Sequence, residues 1–351
     1  MRTRSDIPLN FLVSVIVPVY NAERFVRRAV ESAVSLAEVG EIILIDDAGP
    51  DNSLAVCQQL EKEFSKVKVV WHPDGGNHGA GASRNLGIEH ARFEFISFLD
   101  ADDYYLPNRF EKEWETFLND ESIDGVYGAI GIDYDSEQAR KKFLEAGYAY
   151  QEFLTLSSPV PPEELIEVLF HCHPTVTGEF HTNSVTVRKS LFERSGKFNE
   201  KLRLRQDIHL WRRMAAAGRL VAGSIDREVA NRGVHGANRM INQAEQAKYV
   251  DYWWEDLNCW FQSMSGISRK SRKAFQSAYC SYLLTNSPKW KRRWVFLKHV
   301  FQNPHLILRP MGFFDLNLFE VFGRNWLTLH FTSAKNRVLR VVFPLNAHPR
   351  R

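Results

Sequence analysis

Apolar and polar positions alternate between two rhythms over the first hundred residues. Val13–Val19 is a compact β-branched run, a strand by composition, with Pro18 near its end. Residues 22–36 then set Phe25, Val26, Ala29, Val30, Ala33 and Val34 at the i, i+3, i+4 spacing of one helix face. Residues 41–46 give a second strand ending in acids, 53–64 a second helix and 67–71 a third strand. A third helix over 82–91 and a fourth strand over 93–99 complete the run. Strands alternating with helices predict an α/β fold, a Rossmann-like, mostly parallel sheet with flanking helices. In such sheets ligands gather at the carboxyl ends of the strands. Tyr20, Asp46, Asp47, Asp100, Asp102 and Asp103 all fall there.

Past residue 104 the rhythm loosens. Residues 107–117 read as a helix, and 127–133 and 184–188 as strands around a proline-rich break at 159–162. Residues 204–217 read as a helix with Ile208, Trp211 and Met214 on one face. From 243 onward the composition turns aromatic, helical and finally basic, which places a boundary near residue 240. The expected organisation is a catalytic domain over 1–240 and a helical extension over 241–351.

Charge changes the picture more than composition does. The net charge of +3 divides unevenly: residues 261–351 carry 16 Lys/Arg against Asp315 and Glu320 alone. A tail this basic suggests an anionic partner, a membrane surface or nucleic acid. Residues 285–345 interleave Trp290, Trp294, Phe296, Phe301, Phe313, Phe314 and Trp326 with Lys289, Lys291, Arg292, Arg293, Lys298 and Arg309. That mixture suits helices lying in a bilayer interface. No nucleic-acid-binding module is recognisable, and the remaining alternative is a helical extension that packs its aromatics on the catalytic domain. Four scattered cysteines, without a C-x-x-C pair, argue against a disulfide framework or zinc knuckle. No secretory signal or membrane-spanning run is expected, so the expected location is cytoplasmic, peripheral at the inner face of the membrane.

The chemistry concentrates in residues 97–103, Ser-Phe-Leu-Asp-Ala-Asp-Asp. Three carboxylates this close repel one another unless a cation or hydrogen-bond donors neutralise them, and oxygen-rich sites suit Mg²⁺ or Mn²⁺. An acidic loop opening the next helix is the plainer alternative. The segment Gly75-Gly-Asn-His-Gly-Ala-Gly81 invites a dinucleotide reading, but Arg84 stands where the third glycine belongs. Its small residues instead suit a helix packed close to the sheet.

Five segments occur in a telling order: Val15-Ile-Val-Pro-Val-Tyr-Asn21, Ile45-Asp-Asp-Ala-Gly-Pro-Asp-Asn-Ser53, Gly79-Ala-Gly-Ala-Ser-Arg-Asn-Leu-Gly87, Phe98-Leu-Asp-Ala-Asp-Asp103 and Gln206-Asp-Ile-His-Leu-Trp-Arg212. Together they resemble a family 2 glycosyltransferase of the GT-A fold over roughly residues 12–240. The resemblance implies an inverting transferase that uses a nucleotide-sugar donor, most typically UDP-linked, and Mn²⁺ or Mg²⁺. It implies a glycan or lipid-linked acceptor, as in cell-surface polysaccharide synthesis. It points to nucleotide contacts at Pro18, Tyr20, Asp47, Arg84 and Asp102 and to the metal at Asp102 and Asp103, without deciding which acid of Asp100, Asp102 and Asp103 binds the metal. Asp47 is expected to accept from the uracil N3–H and Tyr20 to stack on the base. Arg84 either lies near the diphosphate or makes a structural salt bridge. Asp207 is the expected general base, although Gln206 stands where the family usually has Glu. His235 and Arg239 resemble a segment that closes over the diphosphate. The family usually has Gly-Ser after the acid pair, where this chain has Ala48-Gly49. His171-Cys172-His173 lacks a companion pair at zinc spacing and reads as structural or as acceptor-pocket lining, the region that also contains His181. Two rival readings are a nucleotidyltransferase on a similar sheet and a non-catalytic membrane-associated adaptor that keeps the fold.

Overall fold

The computed structural model describes residues 11–145, 153–235 and 248–288. Strands β1 (Val13–Val19), β2 (Val39–Asp46), β3 (Val67–Trp71) and β4 (Phe95–Phe98) form a parallel half-sheet, with β1 between β2 and β4. The crossovers are helices α1 (Val26–Val34), α2 (Ser53–Glu63) and α3 (Ala80–His90). Every β1 residue except Pro18 is buried, as expected of a strand covered on both faces. Val13, Val15, Val17 and Val19 join one core with Val26, Ala29, Val30, Ala33 and Leu60. Ile16, Ile43, Ile45 and Ile88 join the core on the opposite face. Each fully buried aliphatic side chain contributes about 1.5–3 kcal/mol. Pro18 costs no ladder bond: Leu99 N–H reaches the Ile16 carbonyl at 3.0 Å, so Pro18 faces the same side where β4 has already ended. Gly87 lets α3 lie close to the sheet, since a Cβ there would stand 2.3 Å from Ile16 Cγ2.

The expected strand over 127–133 is two strands. β6 (Gly125–Tyr127) belongs to the main sheet, and after Gly128 the chain moves into β7 (Ala129–Tyr134) of a second sheet. That small sheet has the order β5-β10-β7, with β5 (Tyr104–Tyr105) antiparallel to β10 (Glu228–Val234). The main sheet is completed by β8 (Val185–Arg188), antiparallel to both β4 and β6, and by β9 (Leu220–Ala222), parallel to β6. Helix α4 (Glu111–Asn119) starts later than the expected 107. Helices α5 (Glu137–Glu145), α6 (Pro162–Leu169), α7 (Leu191–Ser195) and α8 (Gln206–Ala217) follow. The expected start of α8 at residue 204 moves to Gln206 because Arg205 is left-handed, with φ 59°.

Helix α9 (Val250–Ser263) and the first part of α10 (Arg269–Asn286) pack on this body. Trp253, Leu257, Phe261 and Phe275 share a core with Leu210, Trp211 and Met214, and Phe261 stacks on Phe275 at 4.3 Å. Residues through Tyr279 form one compact unit. The boundary expected near 240, Arg239 and the basic–aromatic stretch from 289 onward lie outside the described residues. Among the described residues no helix is long and apolar enough to cross a membrane.

Candidate active site

The acid turn is built from three directions. After β4 the chain turns through Asp100 to Asp103, closed by Asp103 N–H on the Asp100 carbonyl at 3.0 Å. Asn183, at the head of β8, holds both ends. Its Oδ1 accepts the Asp100 N–H at 2.9 Å and its Nδ2 donates to the Asp103 carboxylate. Fully buried Arg109 fixes Asn183 in turn, donating through Nε to its carbonyl at 2.9 Å and through Nη2 to Ser97 Oγ at 2.8 Å. From β10, Gly233 N–H reaches the other Asp103 oxygen at 2.7 Å. A Cβ at Gly233 would meet the Asp102 carbonyl at 2.4 Å, so a side chain there would push β10 off the turn.

The three carboxylates sit in different surroundings. Burial, then the charges of Asp102 and Asp100, raise the Asp103 carboxyl well above the usual range. Burial opposes ionisation of Asp100 as well, but Arg84 and Arg232 outweigh it and hold that carboxyl below the usual range. Arg84 Nη2 lies 2.5 Å from Asp100 Oδ1, a structural ion pair of the kind the sequence allowed. Asp102 is the outward member, with 32% of its side chain exposed and Oδ2 3.1 Å from His235 Nε2. His235 stacks on Phe25 at 4.5 Å.

At the ends of β1 and β2, Asp47 is almost wholly buried. It accepts from Asn77 Nδ2 at 2.9 Å, from His78 N–H at 2.7 Å and from Gly79 N–H at 2.9 Å. Gly79 N–H also reaches Oδ1 at 3.1 Å and His72 Nε2 lies 3.5 Å from the same oxygen, so both carboxylate oxygens are engaged. Gly79 sits at φ 84°, where a side chain is strained, and a Cβ would stand 2.4 Å from Arg203 Nη1. Arg203 donates to Asn77 Oδ1 at 3.1 Å, tying this loop to the segment before α8. Ala48 takes the left-handed turn at φ 55° that the family's usual glycine adopts more easily. Asp46 is not among the residues that line the cavity described below.

Helix α8 carries the third group. Asp207 lies in its first turn, with Thr182 Oγ1 at 3.4 Å from Oδ2. With its amide oriented to satisfy both ends, Gln206 donates to the Leu202 carbonyl at 2.5 Å and accepts from Arg84 Nη1 at 3.3 Å. Arg84 therefore bridges the acid turn and the start of α8. His181 accepts Asn183 N–H on Nδ1 at 3.3 Å, and burial lowers its pKa to about 4, leaving a neutral ring.

His209, deeper in α8, gives a pH prediction. Burial first, with Arg213 and Arg212 adding to it, lowers its pKa to about 4 although Asp256 opposes the shift at 3.1 Å. A depressed histidine contributes stability that is present above its unfolded pKa of 6.5 and is lost as pH falls towards 4. At about 1.4 kcal/mol per pH unit, acidification from 7 to 5 removes on the order of 2 kcal/mol. Denaturant midpoints at both pH values check this. His209→Gln is expected to lose visibly less than wild type, and an equal loss refutes the assignment.

One cavity of about 310 Å³ brings most of these groups together. Pro18, Tyr20, Asp47, Arg84, Asp102, Asp103, Asp207 and His235 all line it, as do Asp100 and Gln206. Its wall also includes His181, Arg203, Arg205 and Arg232, to which the sequence assigned no role. Asn183 was missed as well, because an Asn beside a strand looks like any polar residue until its partners are known. His171 and His173 lie apart from the cavity, facing Glu179 and Glu164. Among the described residues, two sets on the cavity wall offer ligand atoms for a divalent cation. Asp100, Asp103 and His181 place theirs within 4.8 Å of one another, but Arg84, Asn183 and Gly233 already engage both carboxylates. Asp102 with His235 pairs a carboxylate and an imidazole on the cavity wall, a donor set that fits Mn²⁺ and leaves positions for phosphate oxygens.

The family model for glycosyl transferase family 2 matches residues 14–179. An uncharacterized glycosyltransferase, EpsJ, of Bacillus subtilis is 30% identical over 200 residues, 56% of this chain and 54% of that protein. An uncharacterized glycosyltransferase of Rickettsia felis is 29% identical over 60% of this chain and 33% of its own length. The chain thus spans between a third and about half the length of these relatives. Among solved structures, Staphylococcus aureus TarS residues 1–349 superposes with a TM-score of 0.56 at 16% identity, over 80% of this chain and 74% of that one. The same fragment in complex with UDP-GlcNAc gives 0.56 at 15% identity, over 84% and 81%.

Proposed function

We propose, from the match of residues 14–179 to the glycosyl transferase family 2 model, that this protein transfers a sugar from a nucleoside-diphosphate donor to a hydroxyl of a glycan or lipid-linked acceptor, with inversion. One observation carries the reading: the acid turn, the Asp47 end of the sheet and Asp207 of α8 converge on a single cavity. In this reading the donor base lies near Tyr20 and Asp47, which line the same cavity: Tyr20 stacks on it, and Asp47 accepts from its imide N–H in exchange for part of its shared contact with Gly79. UDP-GlcNAc is the first donor to test, since the similar S. aureus fragment was solved with it.

In this reading Asp207 takes the proton of the acceptor hydroxyl as its oxygen attacks the anomeric carbon. The new C–O bond forms as the bond to phosphate breaks, and the electron pair leaves with the nucleoside diphosphate. Thr182 steadies the Asp207 carboxylate. Arg84 and Gln206 hold α8 against the acid turn, so the base and the leaving group keep a fixed separation. Arg203, Arg205 and Arg232 supply cationic charge along the cavity wall. A divalent cation, Mn²⁺ or Mg²⁺, held by Asp102 and His235, would neutralise the charge that develops on the diphosphate.

The test is release of nucleoside diphosphate from a panel of UDP-, GDP- and dTDP-sugars, with Mn²⁺, Mg²⁺ or EDTA. Turnover of one donor, abolished by EDTA, is expected. Absence of both turnover and calorimetric donor binding overturns the reading and favours the adaptor alternative. The excess of basic over acidic residues in 261–351 supports attachment to an anionic membrane surface. Cosedimentation of the full chain with phosphatidylglycerol vesicles, but not with phosphatidylcholine vesicles, is the outcome expected there, and equal recovery from both refutes it.

A further inference from the structure

Helix α9 lies outside the 14–179 stretch matched by the family model, yet it reaches the start of the helix that carries Asp207. Its contacts converge on one place. Trp253 Nε1 donates to the Arg205 carbonyl at 3.2 Å, and the same carbonyl accepts His209 N–H at 3.1 Å, the first bond of α8. Asp256 lies 3.1 Å from His209 Nε2, and Tyr252 Oη accepts from Asn199 Nδ2 at 3.1 Å. The Trp253 ring is 6% exposed, sits edge-on to His209 at 5.6 Å and lies under the Arg212 guanidinium at 5.2 Å.

What this buttress holds is a conformation that the local sequence does not favour. Arg205 has φ 59°, left-handed, and neither glycine nor asparagine occupies the position. No side chain caps α8 at that residue. The direction in which Asp207 leaves the turn depends on that backbone, two residues upstream. We infer that Trp253 is a positioning residue for Asp207: its indole N–H fixes the Arg205 carbonyl and with it the left-handed turn from which the base projects. The inference rests on the proposed role of Asp207, but the holding of the turn can be measured independently of it. The C-terminal part of the compact unit is then a working part of the site as well as a cover for its core.

The experiment compares full-length wild type, Trp253→Phe and Leu257→Val. Phe keeps most of the ring in the core and removes the donor. Leu257 is fully buried one turn further along the same helix, so Leu257→Val loosens the packing without touching the Arg205 carbonyl. Amide hydrogen exchange of residues 206–209 reads the turn, and kcat against donor KM reads the base. Trp253→Phe is expected to speed exchange at the His209 amide and to lower kcat about tenfold, within what a small misplacement of a catalytic group brings. Donor KM should stay within about twofold, since Trp253 does not line the cavity and every side chain that does is kept, Arg205 included. Leu257→Val should lower the melting temperature and change neither readout. Unchanged exchange in Trp253→Phe overturns the inference. So does a fall in kcat that both variants share in proportion to their loss of stability. If wild type transfers no sugar, the reading of Asp207 fails and the exchange comparison still decides whether Trp253 holds the turn.

Discussion

Replacing Asp207 with Asn is expected to lower kcat by about a thousandfold while leaving donor affinity within a factor of about two, in the middle of the range for losing a general base. The substitution changes little else. The amide has the same shape, and Thr182 Oγ1 keeps a partner 3.4 Å away in the remaining oxygen. What disappears is the ability to take a proton. Calorimetry with the donor nucleotide, together with initial rates, separates the two effects. A variant that keeps more than about a tenth of the wild-type rate would show that another group accepts the proton. His181, neutral and on the same wall, is the first to examine.

The second large effect separates two neighbouring acids. Asp102→Ala is expected to lower kcat at least about a hundredfold, the usual loss on removing one group that stabilises transition-state charge. Its melting temperature should hardly move, because this side chain is the outward member of the turn. Asp103→Ala should behave differently. It strips a partner from the buried Asn183 Nδ2 and Gly233 N–H, and each orphaned donor costs about 1–3 kcal/mol. Its loss of activity should therefore come with a loss of several degrees in melting temperature. Titrating Mn²⁺ into each variant completes the comparison: Asp102→Ala should lose the cation response. If Asp103→Ala loses that response at unchanged stability, the cation site moves to Asp103.

Much of this was legible because the parallel half-sheet writes itself into periodicity. Residues 15–19 and 42–45 are continuous apolar runs followed at once by polar groups, and burial on both faces leaves few other readings. The resemblance then supplied eight residues that line one cavity, although they are spread from Pro18 to His235. What stayed hidden depends on long-range pairing. Residues 127–133 have one composition but belong to two sheets, because Gly128 lets the chain change layers. Asn183 and Arg109 look ordinary until β8 is seen to run against β4. The left-handed turn at Arg205 was invisible because its support comes from Trp253, 48 positions further on. The neutral Gln206 becomes intelligible only beside its partners. It has a carbonyl to donate to and a guanidinium to accept from, and a carboxylate would serve only the second.

The reversed direction of β8 has a consequence for how the chain tolerates change. Because β8 runs against β4, its first residues, not its last, meet the acid turn, so the connection over 153–180 arrives there through His181, which lines the cavity. Arg109 and the β4–β8 ladder fix Asn183 without help from that connection. Changes in length are tolerated best where that connection is exposed, at 157–159 and 174–175, and least across α6, whose Leu165, Ile166, Val168 and Leu169 are buried in the core. A scaffold arranged in this way can vary its surface over that connection while the acid turn stays in register.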